Sequence, residues 1–140
     1  MNMNDLPYAQ REAEKVNEIL ERNNWNPKFL LKSDLLDIVT ALHGEYKLLH
    51  VAGHGVYDIK SEQGGIVVED AILDSHFFKT LPHLPEFAFI NCCNSGETNA
   101  LFEERFRYKY KLAASLGMQL IEQGVEAVIC LLYTSPSPRD

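Results

Sequence analysis

The chain has 140 residues, enough for one ordinary hydrophobic core and too few for two full domains. With 46% hydrophobic and 24% charged residues it has the composition of a globular protein, which excludes wholesale disorder. The net charge of -7 argues against nucleic acid or an anionic membrane as the main partner, because either needs a basic face. The basic cluster from Arg105 to Lys111 reads as the solvated surface of a helix.

No apolar stretch approaches the roughly 20 residues that span a bilayer, and the N-terminus lacks the apolar core of a secretion signal. A cytoplasmic protein is therefore expected, with no membrane partner. Three cysteines, two of them adjacent, make no disulfide framework, which fits a reducing compartment.

From the N-terminus, Ala9, Ala13, Val16, Ile19 and Leu20 recur at helical spacing up to Arg22, with Glu12, Glu14, Lys15, Glu18 and Glu21 between them. This predicts an amphipathic helix. A turn follows at Asn23-Asn24-Trp25-Asn26-Pro27, then a short strand at Phe29-Leu30-Leu31. Ser33 is the expected N-cap of a second helix with Leu35, Leu36, Ile38, Val39 and Leu42 inward and a stop at Gly44. Tyr46 to Ala52 is a nearly continuous apolar run, as in a strand covered on both faces.

Gly64-Gly65 reads as a turn leading into a hairpin strand, Ile66-Val67-Val68, and Leu73 to Leu81 as a short helix ended by Pro82 and Pro85. Phe87 to Ile90 is a second buried strand. Lys111 to Gln123 is a helix ended by Gly124, with Leu112, Leu116, Leu120 and Ile121 inward, and Val125 to Ile129 starts another strand. Alternating strands and helices predict an α/β fold with a mostly parallel sheet flanked by helices.

The chemistry of the chain concentrates in two places. The run Leu48-Leu49-His50-Val51-Ala52 is expected to break at Gly53-His54-Gly55, and Phe87-Ala88-Phe89-Ile90-Asn91-Cys92-Cys93 at Asn94-Ser95-Gly96. Loops at the C-terminal ends of parallel strands collect reactive residues. A thiol is the most nucleophilic side chain near neutral pH, and a nearby imidazole can take its proton and hand it to a leaving group. His54 and Cys93 are thus a candidate catalytic pair, against the plainer alternative of a hydrogen-bonded histidine and a buried cysteine. The Gly55 N–H is a candidate oxyanion donor.

A zinc site is the rival chemistry, since His50, His54, Cys92 and Cys93 carry nitrogen and sulfur donors. Adjacent cysteines on a strand point to opposite faces, and His50 and His54 would lie about 13 Å apart, too far to share an ion. No metal and no cofactor is therefore expected, and Cys92 reads as a small core residue. Of the nearby acids Asp58, Glu69, Asp70 and Glu97, one could orient His54 or recognise a basic substrate side chain; each is otherwise a solvated loop charge. Tyr57 and Asp58 are candidates for a substrate pocket. Neither a serine nucleophile elbow nor a phosphate-binding loop is present.

These motifs together resemble the CHAT domains, a family of caspase-like cysteine peptidases. The resemblance is carried by Leu6-Pro7-Tyr8-Ala9 with Glu12-Ala13, by Leu49 to Gly55, by Gly65-Ile66-Val67-Val68-Glu69-Asp70, and by Pro85-Glu86. It continues through Ile90-Asn91-Cys92-Cys93-Asn94-Ser95-Gly96 and from Leu112-Ala113 to Gly124-Val125-Glu126-Ala127-Val128-Ile129. It implies a caspase-like three-layer sandwich, a base at His54, a nucleophile at Cys93, an oxyanion contact at Gly55, and hydrolysis of peptide bonds through an acyl-enzyme. It also implies a protein or peptide substrate and an intact protein in which the domain is joined to helical-repeat or other interaction modules.

The family has a strand before the first helix and further strands beyond Ile129, so residues 1–129 are expected to be a partial CHAT domain. The Ser/Pro-rich stretch at 130–140 resembles a translated sequencing adapter and is expected to be non-native. A pseudo-peptidase serving as an interaction or signalling module, and a Cys-His hydrolase or acyl transferase acting on a non-peptide substrate, are the competing functions.

Overall fold

A computed structural model describes residues 7–31, 33–58, 60–69, 71–93 and 102–130; for Pro7, Tyr8, Cys92, Cys93, Ala113 and residues 102–110 the description is of the backbone alone. Asp70, Glu97, the Asn94-Ser95-Gly96 turn and residues 131–140 lie outside it.

The elements run α1 (Pro7–Arg22), α2 (Leu35–Leu42), β1 (Leu48–Asp58), β2 (Gln63–Val68), β3 (Ala71–Asp74), α3 (Ser75–Lys79), β4 (Phe87–Cys93), α4 (Phe102–Gln123) and β5 (Ala127–Cys130). The described strands form one five-stranded sheet in the order β3-β2-β1-β4-β5. β1, β4 and β5 are mutually parallel, β2 runs antiparallel to β1, and β3 reverses again. This is the expected α/β architecture, a mixed but mostly parallel sheet between helices.

Strand alternation sorts the faces. Leu49 and Val51 of β1 pack against the core made by Ile66, Leu73, Phe78, Ala88, Ile90, Leu112, Leu116, Leu120 and Val125. The spacing of four between Leu112, Leu116 and Leu120 turns one stripe of α4 onto the sheet, and each of the three is at least 97% buried. Ile121 lies one residue round the helix from that stripe and is 52% exposed, not inward as the periodicity suggests. His50, between Leu49 and Val51, points to the opposite face, where α1 lies. α2 has no fully buried residue: Leu35, Ile38 and Leu42 pack against the core, and Leu36, expected inward, is 73% exposed.

Several local expectations give way to tertiary context. β1 does not stop at Gly53. It continues to Asp58 because β2 takes over as its partner, so Gly53, His54 and Gly55 lie inside a strand. Gly64 and Gly65 likewise belong to β2 and not to a turn: α4 comes so close that a Cβ on Gly64 would stand 2.9 Å from Leu112 Cδ1 and 3.2 Å from the Leu112 carbonyl oxygen. Phe29-Leu30-Leu31 is irregular and has no ladder partner among the described residues.

The segment predicted as a helix from Leu73 begins as β3, and the helix proper starts only at Ser75, where the Asp74 carboxylate accepts from the Phe77 N–H at 3.1 Å. At α2 the cap is Asp34 and not Ser33: Asp34 Oδ1 accepts from the Asp37 N–H at 2.8 Å, and Glu69 Oε1 accepts from the Leu35 N–H at 3.0 Å. Two of the orphan amide donors at that helix end are thereby satisfied. Gly124, at φ 116, ends α4 in a conformation open to glycine, as expected. Among the described residues no helix is long and apolar enough to cross a membrane.

Candidate active site

β1 and β4 pair in parallel from Leu48 opposite Phe87 to His54 opposite Cys93. His54 and Cys93 therefore form the last rung of this ladder, on strands about 4.8 Å apart. The next residue, Gly55, pairs with Ile66 of β2 on the other edge. β1 thus changes partners between His54 and Gly55, and beyond His54 its β4-facing edge has no ladder partner among the described residues. From β1 the sheet continues to β2 and β3 on one side; from β4 it continues to β5 on the other. Such a reversal of direction is the usual place for a site in an open α/β sheet; here it falls at the C-terminal end of β4 and at His54, inside β1.

His54 is half-buried and is not without an interaction partner. Cys93 is located by its backbone alone. Gly55 is buried within the β1–β2 ladder. Half-buried Tyr57 packs against the core. Exposed Asp58 holds the turn into β2, its carboxylate accepting from the Lys60 N–H at 3.1 Å and the Ser61 hydroxyl at 3.0 Å. Glu69, at φ 52, caps α2. The carboxylates of Asp58 and Glu69 are thus both engaged in local structure. Among the described residues no three His, Cys, Asp or Glu side chains gather as metal ligands.

A cavity of about 490 Å³ lies between α1, α2 and the sheet, with Ala13, Val16, Leu20, Ile38, His50 and His54 in its wall. Beside it is a polar cluster that the sequence reading passes over. Glu12, expected on the outer side of α1, turns to the sheet: its Oε1 accepts from Asn91 Nδ2 at 2.6 Å, and its Oε2 lies 3.1 Å from His50 Nε2. The His50 ring stacks on Phe89, with centroids 5.3 Å apart and planes 19° apart. Burial lowers the His50 pKa below its ordinary value, and the Glu12 charge opposes that shift. The available signals were spacing ones: Glu12 lies three residues after Ala9 on the inward stripe, and Asn91 shares strand parity with Cys93.

The third cysteine, Cys130, ends β5 opposite Ile90, and burial pushes its thiol pKa up. A thiol so placed is a poor nucleophile. No curated protein and no solved structure matches the chain. The sequence matches the CHAT domain family over residues 1–134, a span that contains every element described above. The chain therefore belongs to the CHAT domain family, which is caspase-like.

Proposed function

We propose that the domain is a cysteine endopeptidase in which Cys93 is the nucleophile and His54 the general base and acid. The observation that carries this reading is the last β1–β4 rung, which sets a histidine of β1 beside the cysteine position that ends β4, at the sheet's reversal point. In the reaction His54 accepts the Cys93 thiol proton as the sulfur attacks the scissile carbonyl. The C–N bond then breaks, with His54 returning the proton to the leaving amine. Water, deprotonated by His54, hydrolyses the thioester and regenerates the thiol. The Gly55 N–H is the proposed donor to the oxyanion. Peptide or protein is the proposed substrate, with Tyr57 and Asp58 as proposed pocket residues. Fusion to helical-repeat or other interaction modules is the proposed setting in the intact protein.

The test is labelling of the chain with a thiol-reactive peptidyl ketone, read residue by residue in a mass spectrometer. Cys93 should react at least about a hundredfold faster than Cys92 or Cys130, and His54→Ala should abolish that advantage, the scale expected of a positioned proton acceptor. Equal labelling of Cys92 and Cys93, indifferent to His54→Ala, would overturn the peptidase reading in favour of an interaction module. Labelling of Cys93 without turnover of any member of a peptide library would point instead to a non-peptide acyl substrate.

A further inference from the structure

We infer that Glu12 is a positioning residue: reaching down from α1, it ties β1 to β4 through His50 and Asn91, just ahead of the last β1–β4 rung, which carries His54 and Cys93. The inference rests on reading those two as the catalytic pair. His50 lies four residues before His54, and Asn91 two before Cys93; strand alternation puts His50 on the face of His54 and Asn91 on that of Cys93. One carboxylate oxygen takes the Asn91 amide at 2.6 Å while the other stands 3.1 Å from His50 Nε2, so a single side chain bridges the two strands whose last rung is His54 and Cys93.

The surroundings give this acid a role that packing does not need. The other α1 residues in the cavity wall are mostly apolar, Ala9, Ala13, Val16 and Leu20, with Gln10 and Asn17 the polar ones. A carboxylate placed there is desolvated, and an apolar residue of the same length would serve adhesion as well or better. Glu12 Oε2 and His50 Nε2 stand at hydrogen-bond distance, 3.1 Å, and neither buried atom has another partner among the described residues. Protonation of His50 would turn the contact into a charge-assisted one. The elements packed against His50 contribute Glu12 from α1 as the charged group acting on it; β4 contributes Phe89 and Asn91, which do not titrate, and β1 carries His54 further along the same face.

The experiment measures the His50 pKa by NMR and the amide exchange rates of the strand ends in the unsubstituted chain, Glu12→Gln, Glu12→Met and the exposed control Glu14→Gln. In Glu12→Gln the His50 pKa should fall, because the opposing negative charge is gone while the shape is kept. In Glu12→Met the chain should melt no earlier, yet amides at 52–54 and 91–93 should exchange at least about tenfold faster, the equivalent of one charged hydrogen bond. Glu14→Gln should change neither. An unmoved His50 pKa, or faster exchange confined to α1, would overturn the proposal, since a merely adhesive Glu12 predicts the second pattern. Should Glu12→Met fail to fold, the exchange rates in Glu12→Gln decide. Neither readout depends on Cys93 reactivity, so a failed labelling experiment counts against the peptidase reading alone.

Discussion

Cys130 and His50 have environments that differ enough from an ordinary thiol and imidazole to be told apart by experiment. Cys130 is buried at the end of β5 with its thiol pKa pushed up, so it should stay unreactive at a pH where a cysteine paired with His54 is labelled. His50 is the opposite case to a stabilising ion pair. Its folded pKa lies below 6.5 because burial disfavours the imidazolium more than Glu12 restores it. The unfolded chain then binds the proton more readily, so this group's contribution is fully present above about pH 6.5 and is lost as pH falls from there through the folded pKa. Thermal melts from about pH 8 down to about pH 5 should show stability declining across that window, and His50→Phe, which keeps the ring against Phe89, should flatten the decline.

At the level of elements, local signals located most helices and strands but not their ends. Gly124 and the 112-116-120 stripe marked α4 because capping and helical period are properties of contiguous residues. Gly53-His54-Gly55 and Gly64-Gly65 misled for the same reason: two close glycines favour a turn in isolation, and only β2 and α4 make them strand. The Gly64 amide donates to Ser115 Oγ of α4 at 3.3 Å, and Ser115 in turn donates to the Glu62 carbonyl at 3.2 Å, so helix and strand meet at backbone distance. Gly64→Ala should therefore cost about 1–3 kcal/mol in a urea titration, because the Leu112 methyl can swing away from the new Cβ but the Leu112 carbonyl cannot. A loss under about 0.5 kcal/mol would mean that α4 simply slides.

For the whole molecule, the unequal packing of the two helical layers matters most. α4 buries Leu116 and Leu120 almost completely, whereas a cavity of about 490 Å³ remains beside α1 and α2, and Ile19, Trp25 and Phe29 are exposed. Leu116→Ala removes a side chain from the tighter layer, so it should lose about 2–5 kcal/mol by the same titration. Against the 5–15 kcal/mol typical of a domain, that is a large fraction of the total. His54 lies in the wall of that cavity, together with Ile66, Leu73 and Phe78 of the core.

Composition, hydrophobic period and the ordered motifs determined the α/β class, the helical stripe of α4, and His54 and Cys93 as the residues to watch. Each of these is written in neighbouring residues, in a repeat of two or 3.6, or in a motif of fixed order. Which strand pairs with which, and in what register, was decided only in the folded chain. The rung from His54 to Cys93, the exchange of β4 for β2 at Gly55, and the inward turn of Glu12 all join residues 11 to 79 positions apart. A one-residue slip in β4 would leave every local pattern unchanged and move Cys93 to the other face of the sheet. Only the long-range packing of α1 and α4 on opposite faces rejects that slip.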